Sequence, residues 1–423
     1  MSEFSVPIAR TNLTEDEVKS VLEPLQSGWL VQGPQVKSFE DKWSNFTGAK
    51  HSLAVTSCTA GMHLAVAALN LGPDDEVILP AFTWISTANV IEHQGAKPVF
   101  CDIDLETFNI DVTQIENLIT DKTVGIMPVH LFGLAADMGP IMAIAKKFDL
   151  WVVEDAACGF GATYDGQHVG CFGNAGAFSF HPRKAITTGE GGMVTTTDDA
   201  LSAKIQQLRD HGAILSDLQR HLGPKPYLLA DHIHAGYNQR MTDIQAALGN
   251  AQMNRALEIV GERRAIASCF DEAFSDLEWL RTPFVGDLYG HGYQSYPCMF
   301  RPTDIKLSTI KRRLVSIGVI HKMKGHYLDT KHPIIIENLM GIKRRKGIIQ
   351  KGKKPLLIND LRKILKVIDE ANIEDIKKLR DKSIILIGFS GGFRRNEIVS
   401  LDYEDLDFVY EGLKITLKKS KTD

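Results

Sequence analysis

Up to about residue 300, short apolar runs of strand length alternate with segments at helical period, an order that argues for βα units around a mostly parallel sheet. The spacing predicts strands at Ser52 to Thr56, Glu76 to Leu79, Pro98 to Asp102, Gly125 to Val129, Leu150 to Glu154 and Ala177 to His181. Between them it predicts helices such as Ala60 to Leu69 and Met138 to Phe148. From Lys306 the pattern changes. Leu307, Ile310, Leu314 and Ile317 make an apolar stripe at helical period with Lys311, Arg312 and Arg313 beside it. Further helices are expected at Ile358 to Ile368 and Ile376 to Ile387, and the alternating DLDFVYEGLKITL predicts a hairpin at Asp405 to Leu417.

Charge divides the chain at the same place. Residues 1–303 hold 21 basic and 36 acidic side chains, net −15, whereas residues 304–423 hold 27 and 16, net +11. Such a shift separates domains with different partners. With 44% hydrophobic and 24% charged residues, bulk disorder and fibrous repeats are excluded. The apolar run SIILIGF falls far short of the ~20 residues of a membrane span, and the first residues lack a leader-type apolar stretch. A cytoplasmic chain with no membrane partner is expected. The six cysteines show neither a CxxC pair nor metal-ligand spacing, so they read as reduced thiols and no metal site is expected.

Four segments of the acidic part carry chemistry. SFHPRKAITTGEGG places Lys184 between a predicted strand and a Gly-rich turn, and VVEDAA ends a strand with Asp155. TSCTAG joins a strand to a helix, leaving backbone N–H groups at a helix N-terminus for a phosphate. PAFTWIS offers Trp84, whose indole can stack on a flat ring. Pyridoxal phosphate (PLP), an aldehyde cofactor, needs such a set: a lysine for the Schiff base, an acid for the ring nitrogen, a flat group and phosphate donors. Taken singly, a lysine before a turn is an ordinary surface residue, an acid ending a strand is a helix cap, and a tryptophan is core.

Together, in this order and with these flanks, the segments resemble the DegT/StrS-type family of PLP-dependent nucleotide-sugar aminotransferases. The resemblance implies a fold type I large domain over residues 1–303, lacking the C-terminal small-domain segment. It implies Lys184 as the Schiff-base lysine, Asp155 as the partner of the ring nitrogen and Trp84 stacked on the ring. Thr59, Ala60 and Ser179 would hold the phosphate, and Asn238 in GYNQRMTDIQAALG would reach it from the second subunit of a homodimer. An amino acid donor would displace Lys184, the freed amine would shuttle a proton, and the keto group of a nucleotide-linked sugar would then be aminated in ping-pong order. Related dehydratases carry His where this chain has Lys184, which favours transamination. Cys58 stands where Gly is frequent in the family, and Cys158 where Gln or His often follows EDAA.

The basic part resembles the tyrosine recombinase (phage integrase) family. STIKRRLVSIGVIHKMKGHYLDTKHP is similar to the last helices of its core-binding domain, giving a partial segment at 304–350. FSGGFRRNEIVSLDYEDLDF is similar to the first catalytic box, giving the start of a catalytic domain at 351–423. The match implies Arg394 as the first catalytic arginine, Glu397 as a brace of its helix and Lys421 as the hairpin lysine. The later His-x-x-Arg box and the tyrosine nucleophile have no counterpart, since the last histidine is His332 and Tyr403 and Tyr410 follow Arg394 too closely. Three readings follow: an aminotransferase with a recombinase remnant, a DNA-binding protein whose basic tail contacts phosphates weakly and without sequence preference, and a non-functional fusion.

Overall fold

The computed structural model describes residues 11–300, helical residues 365–366, 369–370, 375 and 377–378, and the strands Leu406–Val409 and Gly412–Ile415. The chain divides into two compact units, Met1–Ile342 and Lys343–Asp423, so the break falls within the 304–350 segment set out above. In the second unit Leu406–Val409 pairs antiparallel with Gly412–Ile415, which is the hairpin expected there. Residues 365–366 and 377–378 are helical, as their apolar spacing predicts.

In the first unit the strands are β1 His51–Val55, β2 Glu76–Pro80, β3 Lys97–Cys101, β4 Thr123–Ile126, β5 Trp151–Asp155, β6 Thr163–Tyr164, β7 Gln167–His168, β8 Ala175–Ser179 and β9 Gly192–Thr196. Seven of them form one sheet in the order β1-β9-β8-β5-β4-β2-β3. The pairs β2–β3, β2–β4, β4–β5 and β5–β8 are parallel, whereas β9 is antiparallel to both β1 and β8. The mostly parallel α/β sheet is therefore as predicted, except that β9 has no counterpart in the predicted strands. Its GMVTT run is short, wholly buried and follows a Gly-rich turn, so it shows none of the alternation that marks a half-buried strand.

Helices cover the sheet because each has one apolar face. Pro34–Thr47 buries Val36, Phe39, Glu40, Trp43 and Thr47, spacings that fall on one stripe of a 3.6-residue period. Trp43 lies 5.0 Å from both Phe178 and Phe180 by ring centroids, so this helix seals the face of β8 with aromatic edges. Its N-terminus has no side-chain cap of its own. Instead Asp243, far along the chain, accepts from the backbone N–H groups of Gly33 at 2.8 Å, Gln35 at 3.0 Å and Val36 at 3.0 Å. This satisfies donors that a helix start otherwise leaves open. Asp243 opens the helix Asp243–Met253, which the TDIQ capping box of Thr242 and Gln245 starts.

The helix Cys58–Ala68 packs against the middle of the sheet, where glycines make room for it. A Cβ on Gly192 would stand 2.4 Å from the Ser57 carbonyl carbon and 2.6 Å from the Cys58 nitrogen. A Cβ on Gly61 would meet the Val194 side chain at 2.9 Å. Among the described residues no helix is long and apolar enough to cross a membrane.

Two histidines are held neutral inside this unit. His168 accepts from Gly161 N–H at 3.1 Å through Nε2 and lies 2.7 Å from the Val169 carbonyl through Nδ1, which leaves it no place for a second proton. Burial above all pulls it down to about 4. His291 is likewise pulled down to about 4 by burial and then by Arg264, and its Nδ1 accepts from Tyr293 N–H at 2.8 Å.

Two outcomes follow from this packing. Between the folded value of about 4 for His168 and His291 and the unfolded ~6.5, the unfolded chain binds more protons, so stability is full above ~6.5 and falls on acidification. Each should cost roughly 2 kcal/mol by about pH 5, read as a drop in the urea midpoint, and His168→Gln should remove about one proton from that slope. Gly192→Ala should destabilise the unit by about 1–3 kcal/mol in urea unfolding, because the new methyl has backbone, not a flexible side chain, to displace.

Candidate active site

Consecutive carboxylates end β5 and point to opposite faces, as strand alternation requires. Glu154 is fully buried and accepts from Gly170 N–H at 2.6 Å, from Phe172 and Gly173 N–H at 2.8 Å each, and lies 2.9 Å from His130 Nε2. Because His130 Nδ1 accepts from Ala136 N–H at 3.0 Å, its proton sits on Nε2 and is donated to Glu154. Burial alone would push the Glu154 carboxyl up, but His130 and the backbone donors more than reverse this and leave it below its ordinary value.

Asp155, 2% exposed, faces the other way, at the C-terminal end of the parallel strands where open α/β sheets place their sites. Its Oδ2 accepts from the Thr87 hydroxyl at 2.7 Å and its Oδ1 from Ala157 N–H at 3.1 Å. The Thr83 hydroxyl stands 2.8 Å from that of Thr87 and can donate to it in turn. Cys58 Sγ lies 3.9 Å from Asp155 Oδ1 and 3.3 Å from the Ala177 carbonyl. Burial first, and Asp155 next, push the Cys58 thiol well up, so it stays protonated.

Lys184 comes from the segment that follows β8, in a turn where its N–H bonds the His181 carbonyl at 2.8 Å. Its Nζ lies 3.1 Å from Cys158 Sγ. Burial pulls the Lys184 ammonium down, but the contact with the Cys158 sulfur first, and its other neighbours including Asp155 after it, outweigh burial and leave it raised. The structure thus gathers Lys184, Asp155, Cys58 and Cys158 at the end of β5, in the middle of the sheet.

The other expected site residues fall as follows. Helix Cys58–Ala68 starts two residues earlier than predicted, with Ser57 as its cap. The Ser57 hydroxyl accepts from Ala60 N–H at 3.0 Å, so that donor is taken, while Cys58 and Thr59 are the first two residues of the helix and have no intrahelical acceptor for their N–H groups. Ser179 ends β8, half-buried, with its hydroxyl 3.4 Å from His181 N–H. Trp84 precedes the helix Ser86–Glu92 and is 74% exposed, a free indole beside the Thr87 turn and not core. Asn238 is exposed. Its neighbour Gln239 offers its carbonyl to Thr56 N–H at 3.1 Å, at the end of β1. Arg394 and Lys421 lie outside the described residues. Thr87 was not singled out from the sequence, although its place three residues after Trp84 on a helix start is the signal that would have found it. Glu154, His130 and Gly192 were also missed; their contacts are long-range.

A family model described as the DegT/DnrJ/EryC1/StrS aminotransferase family matches residues 11–332. That stretch takes in 304–332, which the sequence reading gave to the recombinase-like segment; those residues are assigned to the aminotransferase family instead. The spore coat polysaccharide biosynthesis protein SpsC of Bacillus subtilis is 42% identical over 293 residues, covering 69% of this chain and 74% of SpsC. GDP-perosamine synthase of Caulobacter vibrioides is 40% identical over 273 residues, covering 64% of this chain and 71% of the synthase. The solved Spr1654 of Streptococcus pneumoniae, in its PMP form, superposes with a TM-score of 0.68 at 29% identity, over 79% of this chain and 88% of that one. A PLP form of Spr1654 is also similar to this chain. By this match and these relatives the chain belongs to the DegT/DnrJ/EryC1/StrS family of PLP-dependent aminotransferases.

Proposed function

We propose that this chain moves an amino group from an amino acid to the keto group of a nucleotide-linked sugar. The observation that carries the reading is the convergence of a lysine amine from the turn after β8 and a buried carboxylate from the end of β5. The 40% identity to a protein named GDP-perosamine synthase supports a nucleotide-linked sugar as the acceptor.

The residues fit PLP. The start of the helix Cys58–Ala68, with the open N–H groups of Cys58 and Thr59, the Thr59 hydroxyl, and Ser179, which pairs with the Gly192 that packs against this helix start, suits a phosphate. Asp155 is already oriented by Thr87 and Ala157, so its carboxylate needs no reorganisation to receive a ring N–H. Trp84, exposed beside it, provides the flat face. When bound, the cofactor supplies the electron sink for the bond changes at the donor's α-carbon.

The remaining work belongs to the protein. Lys184 would anchor the cofactor covalently and, when released, carry the proton between the donor's α-carbon and the cofactor carbon through Nζ. Asp155 holds a proton at the ring nitrogen. Asn238 is proposed to act in the active site of a second copy, in a homodimer. The segment before it exposes Leu222, Tyr227 and Leu229 by 75, 77 and 85%, apolar surface that a second copy would cover.

Lys184→Ala is expected to lose the visible absorbance of the attached cofactor and about 10²–10⁴-fold in turnover, with urea unfolding of the first unit unchanged. Asp155→Ala is expected to keep the attachment and slow the amino acid half-reaction by about 10²-fold or more. Stopped-flow absorbance with glutamate as donor reads both, and an unaltered half-reaction in Asp155→Ala would reduce that residue to a structural partner of Thr87 and Ala157.

A further inference from the structure

Lys184 has two duties in the reading above, bonded to the cofactor and released from it, and the released amine needs a place to go. Lys184 is half-buried, and an ammonium drawn out of water is held by a partner. The structure gives it one side-chain hydrogen bond, 3.1 Å to Cys158 Sγ. Cys158 follows Asp155 by three residues on the turn leaving β5, so the partner of the lysine is set by the strand that sets the ring-nitrogen acid.

We propose that Cys158 is a positioning residue for the aminotransferase reaction: its sulfur receives the Lys184 amine each time the lysine is freed from the cofactor and holds it, with its proton, beside Asp155. The inference rests on the reading of Lys184 as the cofactor lysine. The step is a proton balance and nothing more. When the donor's amine takes the cofactor, one of its N–H protons passes to the Lys184 nitrogen, which leaves as a neutral amine with its bonding electron pair and then takes up the donor's α-proton. It is then an ammonium, hydrogen-bonded to Cys158. On the return it gives that proton to the cofactor side and moves off the sulfur.

The charged and titratable groups that face Lys184 are Cys158, Cys58 and Asp155, with His181 and Arg183 on its own turn. Cys58 stays protonated, as its burial and the Asp155 charge require. Asp155 is engaged by Thr87 and Ala157. Its charge still favours the ammonium, but the Cys158 sulfur is the group in direct hydrogen-bond contact with the amine, at 3.1 Å. Its contact works against burial, so losing it moves the balance toward the neutral amine.

The test reads Lys184 directly, without turnover. Full-length protein freed of cofactor is labelled with trace acetic anhydride across a pH series, and acetylation of Lys184 is followed by peptide mass spectrometry in the unchanged chain, Cys158→Ala and Cys158→Gln. In Cys158→Ala the acid limb of the labelling profile should move to lower pH, so that Lys184 is acetylated several-fold faster at neutral pH. Cys158→Gln, which keeps an acceptor without a thiol, should lie between. A fold defect alone would change the labelling of many lysines together and leave the limb of Lys184 where it was. In a second arm, pyridoxal phosphate is added to the same proteins and attachment is followed by absorbance; its acid limb should shift in the same sense. Superimposable Lys184 profiles in the unchanged chain and Cys158→Ala would overturn the inference. Failure of the unchanged chain to attach pyridoxal phosphate would instead overturn the reading of Lys184, and the labelling arm would still decide whether Cys158 holds the amine.

Discussion

The site depends on the way Glu154 is held. A carboxylate with no exposure can stay ionised in a protein interior only if its oxygens are fully engaged, and Glu154 takes three backbone N–H groups and the His130 imidazole. Those donors come from the turn after β4 and from the chain between β7 and β8, so one side chain ties β5 to the segments on either side of it. The next residue along the strand is Asp155, whose side chain emerges on the opposite face. Removing either partner of the His130–Glu154 pair would leave a buried charge or donor uncompensated, a change that costs about 3–5 kcal/mol in comparable pairs. The chemistry at Asp155 is thus placed by the residue before it, with its own oxygens left for Thr87, Ala157 and a ligand.

The same logic of borrowed partners recurs around the sheet. The helix Pro34–Thr47 is capped by Asp243, and the side chain that caps it also opens the helix on which Thr242 and Gln245 close their capping box. The helix Cys58–Ala68 is brought to the sheet by two glycines, one on β9 and one on the helix itself. Its first N–H groups are therefore set by the antiparallel strand inserted between β1 and β8. A reversed strand in a parallel sheet here has the effect of delivering a helix start to the end of β5, where Asp155 lies.

Much of this was legible in the sequence because it is local. The βα alternation predicts six of the seven strands of the main sheet within a few residues, and the flanks of Asp155 and Lys184 carry the family resemblance on which both were chosen. What stayed hidden is what depends on distant partners. β9 is buried on both faces and so lacks a period. Cys158 could be seen as unusual beside EDAA, yet nothing in the sequence says that its sulfur meets the Lys184 amine. Thr87 and Asp243 act on residues far from them in the chain. The stripe of Leu307, Ile310, Leu314 and Ile317 with its basic neighbours was given to a DNA-strand enzyme, because an apolar helical stripe with a cationic rim fits a helix of many folds. The family match through residue 332 shows that this stretch continues the aminotransferase.

The central claim is that Lys184, held against Cys158 near the end of β5, is where the cofactor is attached. The most direct measurement reduces the cofactor-loaded protein with borohydride, digests it and locates the pyridoxyl group by mass spectrometry. The account expects a single modified peptide spanning SFHPRKAITTGEGG with the adduct on Lys184. An adduct on another lysine, or loaded protein that yields none after reduction, would contradict it.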